Sequence, residues 1–370
     1  VIIQSYRNAV ETTHHTRIYE VESPPLPGSR SYRLLLSRRR IASIMRTEAP
    51  DLVEVGDPYR SAWIAARLAA KRDIPIVAYY HSDYPRALGR TARKVGGALC
   101  GWLVDRAVIP YLRALYNRMD LTVVATQRLQ AILADMGVAR VACVPLGTDV
   151  QVFSPRDSRD GVRRELGLPP DARLLIYVGR LAREKNVLRL LDMMDELCDR
   201  PNLHLLIVGD GELRARMKRL ISARRDISLR PYCATSSRLA EFYSAADLFV
   251  HAGTSETFGL VSIEAQACGT RVLGVEGGGL DATLEGEDPP LLAASACGYD
   301  LALAVRRALQ LEEGGRARRQ RRERRVGRYS ATTMCGRMLD LYERLVEGKA
   351  AGRQHGEDQV EEQGASVRAG

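Results

Sequence analysis

Short apolar runs alternate with stretches of helical periodicity along most of the chain. In the first half, the runs DLVEVG (51–56) and PIVAYY (75–80) flank a segment in which Trp63, Ile64 and Leu68 recur at helical spacing. Short apolar runs bounded by turn residues are typical of buried strands, and spacings of three and four are typical of helices. Strands that alternate with helices indicate an α/β fold with parallel sheets.

The same alternation predicts two halves of similar organisation. In the first half we expect further strands at 17–21, 121–125 and 141–145, and helices at 32–47, 85–119 and 127–136. In the second half the apolar runs predict strands at 174–180, 203–212, 227–232, 248–253 and 271–275. We therefore expect a domain at 1–150, a polar, proline-bearing linker at 151–170 and a second domain at 171–328. A helix at 329–347 and a disordered polar tail at 348–370 are predicted to follow.

One stretch, 247–274, combines all these elements: DLFVHAGTSETFGLVSIEAQACGTRVLG. It predicts a strand (248–251), a polar loop, a helix (257–267) and a second strand (271–275). Leu260, Ile263 and Ala267 recur at helical spacing, and Gly269 supplies the glycine that commonly ends a helix.

Two carboxylates are placed around the start of this helix, with Glu256 just before it and Glu264 two turns inside it. At about 1.5 Å per residue, their eight-residue separation spans roughly 12 Å along a helix. Between them we expect the free backbone N–H groups of Phe258, Gly259 and Leu260, which favour an anion, most often a phosphate. Gly259 has no side chain to keep a phosphate away. The arrangement suits a diphosphate between two hydroxyl-bearing rings, which is the chemistry of a nucleotide sugar.

The spacing of Glu256 and Glu264 within ETFGLVSIEAQACGT resembles the paired-glutamate motif of retaining family-4 glycosyltransferases of the GT-B fold. Ordinary helix-surface glutamates are the alternative, which the flanking strand and CGT turn disfavour. The resemblance covers about residues 51–345 and is nearest to bacterial α-mannosyl- and lipid glycosyltransferases. It implies two Rossmann-like, doubly wound domains facing a cleft, with a C-terminal helix that crosses back to the first domain. The first domain would lie on the acceptor side and the second would bind the nucleotide sugar.

The resemblance also implies roles for residues in VGRLAREKN, which follows a strand of the second half. Gly179 is followed by Arg180 and Lys185, which would bind the donor diphosphate. Such fixed cations stabilise the departing nucleoside diphosphate without a metal. Arg183 is expected to be a solvated basic residue. Glu256 would contact the hydroxyls of the donor sugar, and Glu264 those of the ribose.

Other parts of the donor site follow from the same resemblance. The remaining donor-binding candidates are Gly209, Asp210, Tyr232, Thr257, Phe258, Gly259 and Leu260. The backbone near Tyr232 would hold the base, although Pro231 replaces a glycine that is common there. His81 ends a strand of the first half and is either a catalytic residue near the transferred sugar or structural. The triplets 147–149 and 277–279 resemble the hinge and the phosphate-side turn of the family.

Composition and net charge limit the classes of partner and cofactor that the protein is expected to bind. Net charge is +10, which allows anionic membranes, phosphorylated ligands or nucleic acid. We expect no nucleic acid, because neither zinc-finger spacing nor an aromatic RNA-binding motif is present. The seven scattered cysteines form no C-x-x-C pair, which favours reduced thiols in the cytoplasm, and no metal-ligand spacing is evident. We therefore expect neither a metal nor another cofactor, and no apolar run approaches the roughly 20 residues of a membrane span.

The predicted activity is retaining, metal-independent transfer of a mannose- or glucose-type hexose from a nucleotide-diphosphate sugar to a hydroxyl of a membrane lipid or glycan precursor. By resemblance, retention would follow front-face displacement. Two alternatives remain: a transferase acting on a soluble sugar, and a non-catalytic relative that binds a nucleotide sugar. The second is suggested by the abrupt start at Val1, which resembles the second strand of such a domain without the preceding glycine-rich loop.

A basic, apolar segment at 86–119 bears on the acceptor. Leu88, Ala92, Val95, Leu99 and Trp102 recur at spacings of three and four, and seven positive charges accompany a single acid. The basic residues are Arg86, Arg90, Arg93, Lys94, Arg106, Arg113 and Arg118. Such a segment predicts contact with an anionic membrane and a location peripheral to the inner face of the cell membrane. The alternative is that this stripe packs on the sheet of the first domain.

Overall fold

The chain folds into two units, Val1–Val144 with Arg337–Gly370, and Pro145–Gly336. The computed structural model describes residues 1–6, 9–13, 15–25, 33–169, 171–200, 202–233, 235–286, 289–311 and 315–368. Side chains are not described at 5, 6, 87, 90, 91, 94, 95, 105, 315–321 and 352–368.

The first unit contains two sheets, in the strand orders β1-β3-β2 and β4-β5-β6-β7. The strands are β1 (Ile2–Tyr6), β2 (Ala9–Thr12), β3 (Arg17–Glu22), β4 (Val53–Val55), β5 (Ile76–Tyr80), β6 (Leu121–Val124) and β7 (Val141–Cys143). All pairs of the second sheet are parallel, with Val77 opposite Leu121 and Val123 opposite Ala142. The apolar runs at β5 and β6 are buried, as expected for parallel strands that helices cover.

Helices α1 (Arg38–Glu48), α2 (Arg60–Ala70), α3 (Tyr84–Tyr116) and α4 (Gln127–Asp135) complete this unit. The carboxylate of Asp83 caps α3 by accepting the backbone N–H of Arg86 at 3.1 Å. Within α3, Gly96 and Gly97 have non-helical dihedral angles, so the helix is interrupted at these two glycines. Beyond this break, Leu112 and Leu115 are buried in the core of the unit.

The apolar stripe of α3 lies on the surface instead of packing against the sheet. Leu88, Leu99 and Trp102 are 46%, 67% and 52% exposed, and the side chain of Val95 lies outside the described residues. Leu103, the neighbour of Trp102, is exposed as well. Over the part of the chain that the structure describes, no helix is both long enough and apolar enough to span a bilayer.

The second unit is built on one parallel sheet with the order β10-β9-β8-β11-β12-β13. Its strands are β8 (Arg173–Val178), β9 (Leu203–Val208), β10 (Ile227–Arg230), β11 (Leu248–Val250), β12 (Arg271–Val275) and β13 (Leu291–Ala293). Sequence analysis predicted the first five and missed β13. Side chains of β8 alternate between two hydrophobic clusters: Leu175 and Tyr177 lie in one, and Leu174 and Ile176 in the other. The sheet therefore has an apolar layer on each face.

Helices surround this sheet on both faces. They are α5 (Arg159–Leu166), α6 (Arg189–Glu196), α7 (Arg214–Leu220), α8 (Ser236–Ala245), α9 (Leu260–Ala267), α10 (Asp281–Leu284), α11 (Gly298–Gln310) and α12 (Gly315–Tyr329), with a 3₁₀ turn at Arg183–Lys185. The segment predicted as a linker, 151–170, belongs to this unit, because Phe153 and Val162 are buried in its core.

A buried carboxylate ties the start of β8 to the start of β11. Asp247 accepts the backbone N–H of Leu174 at 2.8 Å and pairs with the buried guanidinium of Arg163 at 3.2 Å. The more exposed Arg159 and Arg173 contact its other oxygen at 2.9 and 3.3 Å. The network fixes two neighbouring strands at one end, so their other ends, where the loops begin, are fixed as well.

The last helix, α13 (Ala331–Arg368), belongs to the first unit from Arg337 onward. There Tyr342 bonds to Glu54, and Lys349 pairs with Asp73 at 3.2 Å. The helix continues through residues 348–368, which composition predicted to be disordered. Its Ala, Glu, Gln and Arg are good helix formers even where apolar residues are scarce.

Candidate active site

The strand order places a possible ligand site at the ends of β8 and β11. After β8 the chain continues to β9, which pairs with one edge of β8. The other edge of β8 pairs with β11. At such a reversal the two loops that follow the strands diverge, and ligands of open parallel sheets bind there. The loop after β8 carries Arg180 and Lys185, and the loop after β11 carries Glu256.

Asn186 holds the two loops together. It adopts a left-handed backbone conformation at the end of the 3₁₀ turn, with φ of +53°. Its amide donates hydrogen bonds to the carbonyl of Ala252 at 3.1 Å and to the hydroxyl of Thr254 at 3.4 Å. The turn that bears Lys185 is thereby fixed against the loop that leads to Glu256.

Lys185 and Glu256 form an ion pair although 71 residues separate them in sequence. Both side chains are largely buried, at 19% and 17% exposure. The buried His251 also contacts Glu256, with 3.4 Å between its Nε2 and the same carboxylate oxygen, Oε2. Burial alone would raise the pKa of Glu256, but the hydrogen bond from His251 and the charge of Lys185 lower that pKa to about 2. Glu256 is therefore a fixed negative charge at neutral pH.

The backbone around Glu256 is held by the turn at 277–279. The N–H of Glu256 donates to the carbonyl of Gly278 at 3.1 Å. A Cβ at Gly279 would lie 1.9 Å from the carbonyl oxygen of Glu256, so only glycine allows this close approach. The predicted phosphate-side turn thus packs directly against the segment that carries the first glutamate.

A cavity of about 440 Å³ lies in the second unit beside these loops. Among the predicted donor-binding residues, those that line it are Gly179, Arg180, Asp210, Tyr232, Leu260 and Glu264. The other candidates of this unit, Lys185, Gly209, Glu256, Thr257, Phe258 and Gly259, are not part of its lining. The predicted site therefore separates into a cavity that Glu264 helps to line and an ion pair between Lys185 and Glu256.

Glu264 lies on α9 and is half-buried. Its carboxylate accepts the hydroxyl of Tyr243 at 3.2 Å. Burial raises the pKa of Glu264, and the bond from Tyr243 opposes that rise. A hydrogen-bonding ligand in the cavity can therefore meet a carboxylate that is held in one orientation.

Helix α9 begins at Leu260, three residues later than predicted, because Gly259 adopts a left-handed conformation with φ of +87°. Glu256 precedes the helix, as expected, but by four residues, so the 12 Å helical separation from Glu264 does not apply. The first free N–H groups belong to Leu260 and its successors, not to Phe258. The ring of Phe258 is buried against Tyr329, with centroids 5.9 Å apart, so this side chain points away from any ligand.

Other predicted residues have mainly local partners. Asp210 accepts the backbone N–H of Tyr232 at 2.9 Å and pairs with Arg214, while the Tyr232 ring is exposed. Arg180 is exposed and pairs with Glu184 at 2.6 Å. The exposed side chains of Tyr232 and Arg180 can reorient toward a ligand because solvent surrounds them.

Two further predicted elements are His81, in the first unit, and the hinge at 147–149, in the second. His81 follows β5 in the first unit, is exposed, and has its ring 6.0 Å from that of Tyr84. The predicted hinge at 147–149 lies against Ser330, where Gly147 allows backbone contact and Thr148 pairs with the segment before α13. Among the described residues, no group of three or more His, Cys, Asp or Glu side chains is placed to hold a metal ion.

His251 is the residue that sequence reasoning missed. The sequence predicts it as the last residue of the strand at 248–251 and assigns it no role. The available signal was its position, directly after a buried strand and five residues before Glu256. Its contact with Glu256 depends on the fold of the loop between them.

Family models match most of the chain. Residues 1–152 match the model described as Glycosyltransferase Family 4, and residues 158–326 match the model described as Glycosyl transferases group 1. The two matches correspond to the two units.

Curated relatives and solved structures agree with these matches. The chain is 30% identical over 264 residues to a GDP-mannose-dependent alpha-mannosyltransferase of Mycobacterium tuberculosis, which is 71% of this chain and 65% of that protein. It is 27% identical over 288 residues to sulfoquinovosyl transferase SQD2 of Arabidopsis thaliana, which is 76% of this chain and 53% of that protein. The matched region thus spans about half to two thirds of these relatives.

Sucrose-phosphate synthase from Thermosynechococcus elongatus has a similar structure, with a TM-score of 0.74 and 24% identity over 93% of this chain and 86% of that one. Anabaena HepE in complex with UDP gives a TM-score of 0.71 and 16% identity over 88% of this chain and 86% of that one. These likenesses concern the fold. Together with the paired glutamates and the two family models, they show that the chain belongs to the family-4 glycosyltransferases and has the two Rossmann-like domains of the GT-B fold.

Proposed function

We propose that this protein transfers a hexose from a nucleoside-diphosphate sugar to a hydroxyl acceptor, with retention of configuration and without a metal ion. The observation that carries the proposal is the Lys185–Glu256 ion pair, which lies at the strand-order reversal of a unit whose cavity is lined in part by Glu264. The unit thereby offers a cation for a diphosphate and separate carboxylates for two sets of hydroxyls.

In this proposal Glu264 binds the ribose, and Arg180 and Lys185 bind the diphosphate. Glu256 accepts hydrogen bonds from the hydroxyls of the donor sugar. The bond between the anomeric carbon and the diphosphate oxygen breaks, and the acceptor oxygen bonds to that carbon on the same face. The acceptor proton passes to the departing diphosphate oxygen. Lys185 stabilises the negative charge that develops there, which is the contribution that a metal ion makes in other transferases.

GDP-mannose is the proposed donor, because the name of the mycobacterial relative specifies it. A screen of GDP-mannose, UDP-glucose and their free nucleotides by thermal shift tests this choice. We expect the largest increase in melting temperature with GDP-mannose, and transfer that persists in EDTA. Selective stabilisation by UDP-glucose would contradict the proposed donor, and rescue of an EDTA-inactivated enzyme by Mn²⁺ would contradict the metal-independent mechanism. The anomeric configuration of the product, read by NMR, tests retention.

For the acceptor we propose a lipid at the inner, anionic face of the cell membrane, with the protein bound peripherally in the cytoplasm. The exposed Leu99, Trp102 and Leu103 support this, and Arg93 and Arg106 are exposed on the same helix. The guanidinium of Arg106 lies 5.1 Å from the centre of the Trp102 ring, which places a positive charge beside the apolar group. Each basic residue near an anionic leaflet contributes about 1 kcal/mol, and salt screens it. Arg90 and Lys94 are predicted to contribute to this membrane contact, but their side chains are outside the described residues.

Co-sedimentation with vesicles tests this surface. Wild type should bind vesicles that contain anionic lipid at low salt and dissociate as salt increases. The double variant Leu99→Ser, Trp102→Ser should lose binding, whereas Leu220→Ser, at an exposed leucine of α7 in the second unit, should bind as wild type does. Equal binding by the double variant and wild type would instead favour a soluble sugar as the acceptor.

A further inference from the structure

His251 is a buried titratable residue to which the proposed mechanism gives no part. It follows β11 directly and is 2% exposed. Its ring lies nearly parallel to those of Tyr177 and Phe249, with centroid distances of 6.0 and 6.3 Å and interplanar angles of 26° and 23°. The imidazole therefore has little freedom to rotate or to move.

The hydrogen bonds of the ring define its tautomer. The backbone N–H of Gly253 donates to Nδ1 at 3.2 Å. A nitrogen that accepts a hydrogen bond carries no proton, which leaves Nε2 as the ring nitrogen that can donate. Nε2 lies 3.4 Å from Oε2 of Glu256.

Gly253 is needed for this arrangement. A Cβ at that position would lie 2.5 Å from Cε1 of His251, so a side chain would displace the ring. A ring that only filled space would not require the N–H of Gly253 to point at Nδ1. The loop is thus built to accommodate a hydrogen-bonded imidazole.

The contacts of Glu256 are asymmetric. Lys185 donates to Oε2, the Nε2 of His251 lies 3.4 Å from the same oxygen, and neither of these contacts involves Oε1. Two nitrogen contacts on one oxygen restrict the orientation of the carboxylate. The other oxygen is then available to accept a hydrogen bond from a ligand.

We propose that His251 is a positioning residue, whose Nε2–H holds Oε2 of Glu256 so that Oε1 faces the hydroxyls of the donor sugar. This inference rests on the proposed function of Glu256. Lys185 supplies charge from a flexible chain, whereas His251 supplies direction from a ring that cannot turn. Loss of the imidazole should leave the nucleotide site intact and reduce the rate of transfer.

The variant His251→Phe tests the proposal, because it keeps an aromatic ring of similar size and removes both hydrogen bonds. Since a hydrogen bond to a charged group is worth a factor of about 10 to 100, we expect kcat to fall by that factor. KM for the donor and the affinity for the free nucleotide should change much less, because the diphosphate and ribose contacts remain. The acid limb of the pH profile of kcat/KM should move to higher pH, because the pKa of Glu256 rises when a donor is lost.

His251→Gln provides the rescue, since its amide nitrogen can occupy the position of Nε2. We expect it to recover most of the rate that His251→Phe loses. Val250→Ala is the matched control. Val250 is fully buried at the end of β11, next to His251, so the substitution lowers stability without touching Glu256. It should keep the wild-type pH profile.

The outcomes separate the two claims. If Glu256→Gln is inactive but His251→Phe retains the wild-type kcat and acid limb, the positioning role is wrong and the proposed function stands. If Glu256→Gln retains full activity, the proposed function itself fails. A rate loss in His251→Phe that Val250→Ala reproduces at equal stability would show that His251 acts only by packing.

Discussion

Gly279→Ala is the substitution that tests most strictly how Glu256 is placed. Gly279 has φ of +97°, and a Cβ there would lie 1.9 Å from the carbonyl oxygen of Glu256 and 2.7 Å from its carbonyl carbon. Ordinary contact begins at 3.4 Å, so the two segments must separate by about 1.5 Å. A misplacement of about 1 Å at a reacting group can cost about 100-fold in rate. We therefore expect Gly279→Ala to reduce kcat at least that much.

Gly277→Ala is the control for backbone strain. Gly277 also has a left-handed backbone, with φ of +65°, but a Cβ there would meet no heavy atom within 4 Å. Both variants should lose about 1–2 kcal/mol of stability from the backbone conformation alone. Only Gly279→Ala should also lose activity.

Turnover and melting temperature are measured on both variants under the same conditions. The expected result is a loss of melting temperature of several degrees for Gly277→Ala and a larger loss for Gly279→Ala, with kcat of Gly277→Ala within about threefold of wild type. Equal kcat values for the two variants would refute the reasoning, because the close contact at Gly279 would then have no influence on Glu256.

Two further substitutions test the supports of the site. Asp247→Ala should destabilise the second unit by about 3–5 kcal/mol, because it leaves Arg163 buried without its carboxylate, whereas Arg173→Ala, at the exposed end of the network, should cost less than about 1 kcal/mol. Denaturant unfolding followed by circular dichroism measures the stability of both variants. The unfolding transition seen by tryptophan fluorescence reports on the first unit and should not move. Equal destabilisation by Asp247→Ala and Arg173→Ala would contradict the network. Gly253→Ala should displace the ring of His251, whose Cε1 would be 2.5 Å from the new Cβ, and should lower kcat as His251→Phe does. Wild-type turnover in Gly253→Ala would show that the position of the ring is unimportant.

Much of the second unit follows from the sequence because its strands are buried on both faces. Runs such as 174–178 and 203–208 contain mostly apolar side chains and end at glycine, so both their type and their carboxyl ends are recognisable. The short β13 is not predicted because two prolines precede it directly, which is typical of a loop. The order of the strands, which creates the site, depends on pairing between distant segments and has no local signal.

The start of α9 shows a different limit. The residues Thr257 and Phe258 are compatible with a helix, and helical spacing alone extends it to them. The left-handed backbone of Gly259 ends that extension, because a helix cannot continue through it. The supposed linker at 151–170 failed for a related reason. Its polarity was evident, whereas the burial of Phe153 and Val162 depends on helices that follow later in the chain.

Among the candidate site residues, the sequence identified both members of the Lys185–Glu256 pair but not the pairing itself. Each was placed by a motif at the end of a strand, and the contact between them is a consequence of the adjacent positions of β8 and β11. The role of His251 could not be found in this way, because it depends on a hydrogen bond from Gly253 and on two stacked rings.

The central claim is that the Lys185–Glu256 pair carries hexose transfer, and the most direct measurement is the turnover of three single variants in one assay. Glu256→Gln and Lys185→Ala each remove a member of the pair, and Arg183→Ala removes a neighbouring, largely exposed cation of the same 3₁₀ turn. Losing one fixed charge stabiliser typically costs a factor of about 10²–10³. We expect losses of that size for the first two variants, with folding intact, and near wild-type turnover for Arg183→Ala. Wild-type turnover in Glu256→Gln or Lys185→Ala, or an equal loss in Arg183→Ala, would contradict the assignment of this site.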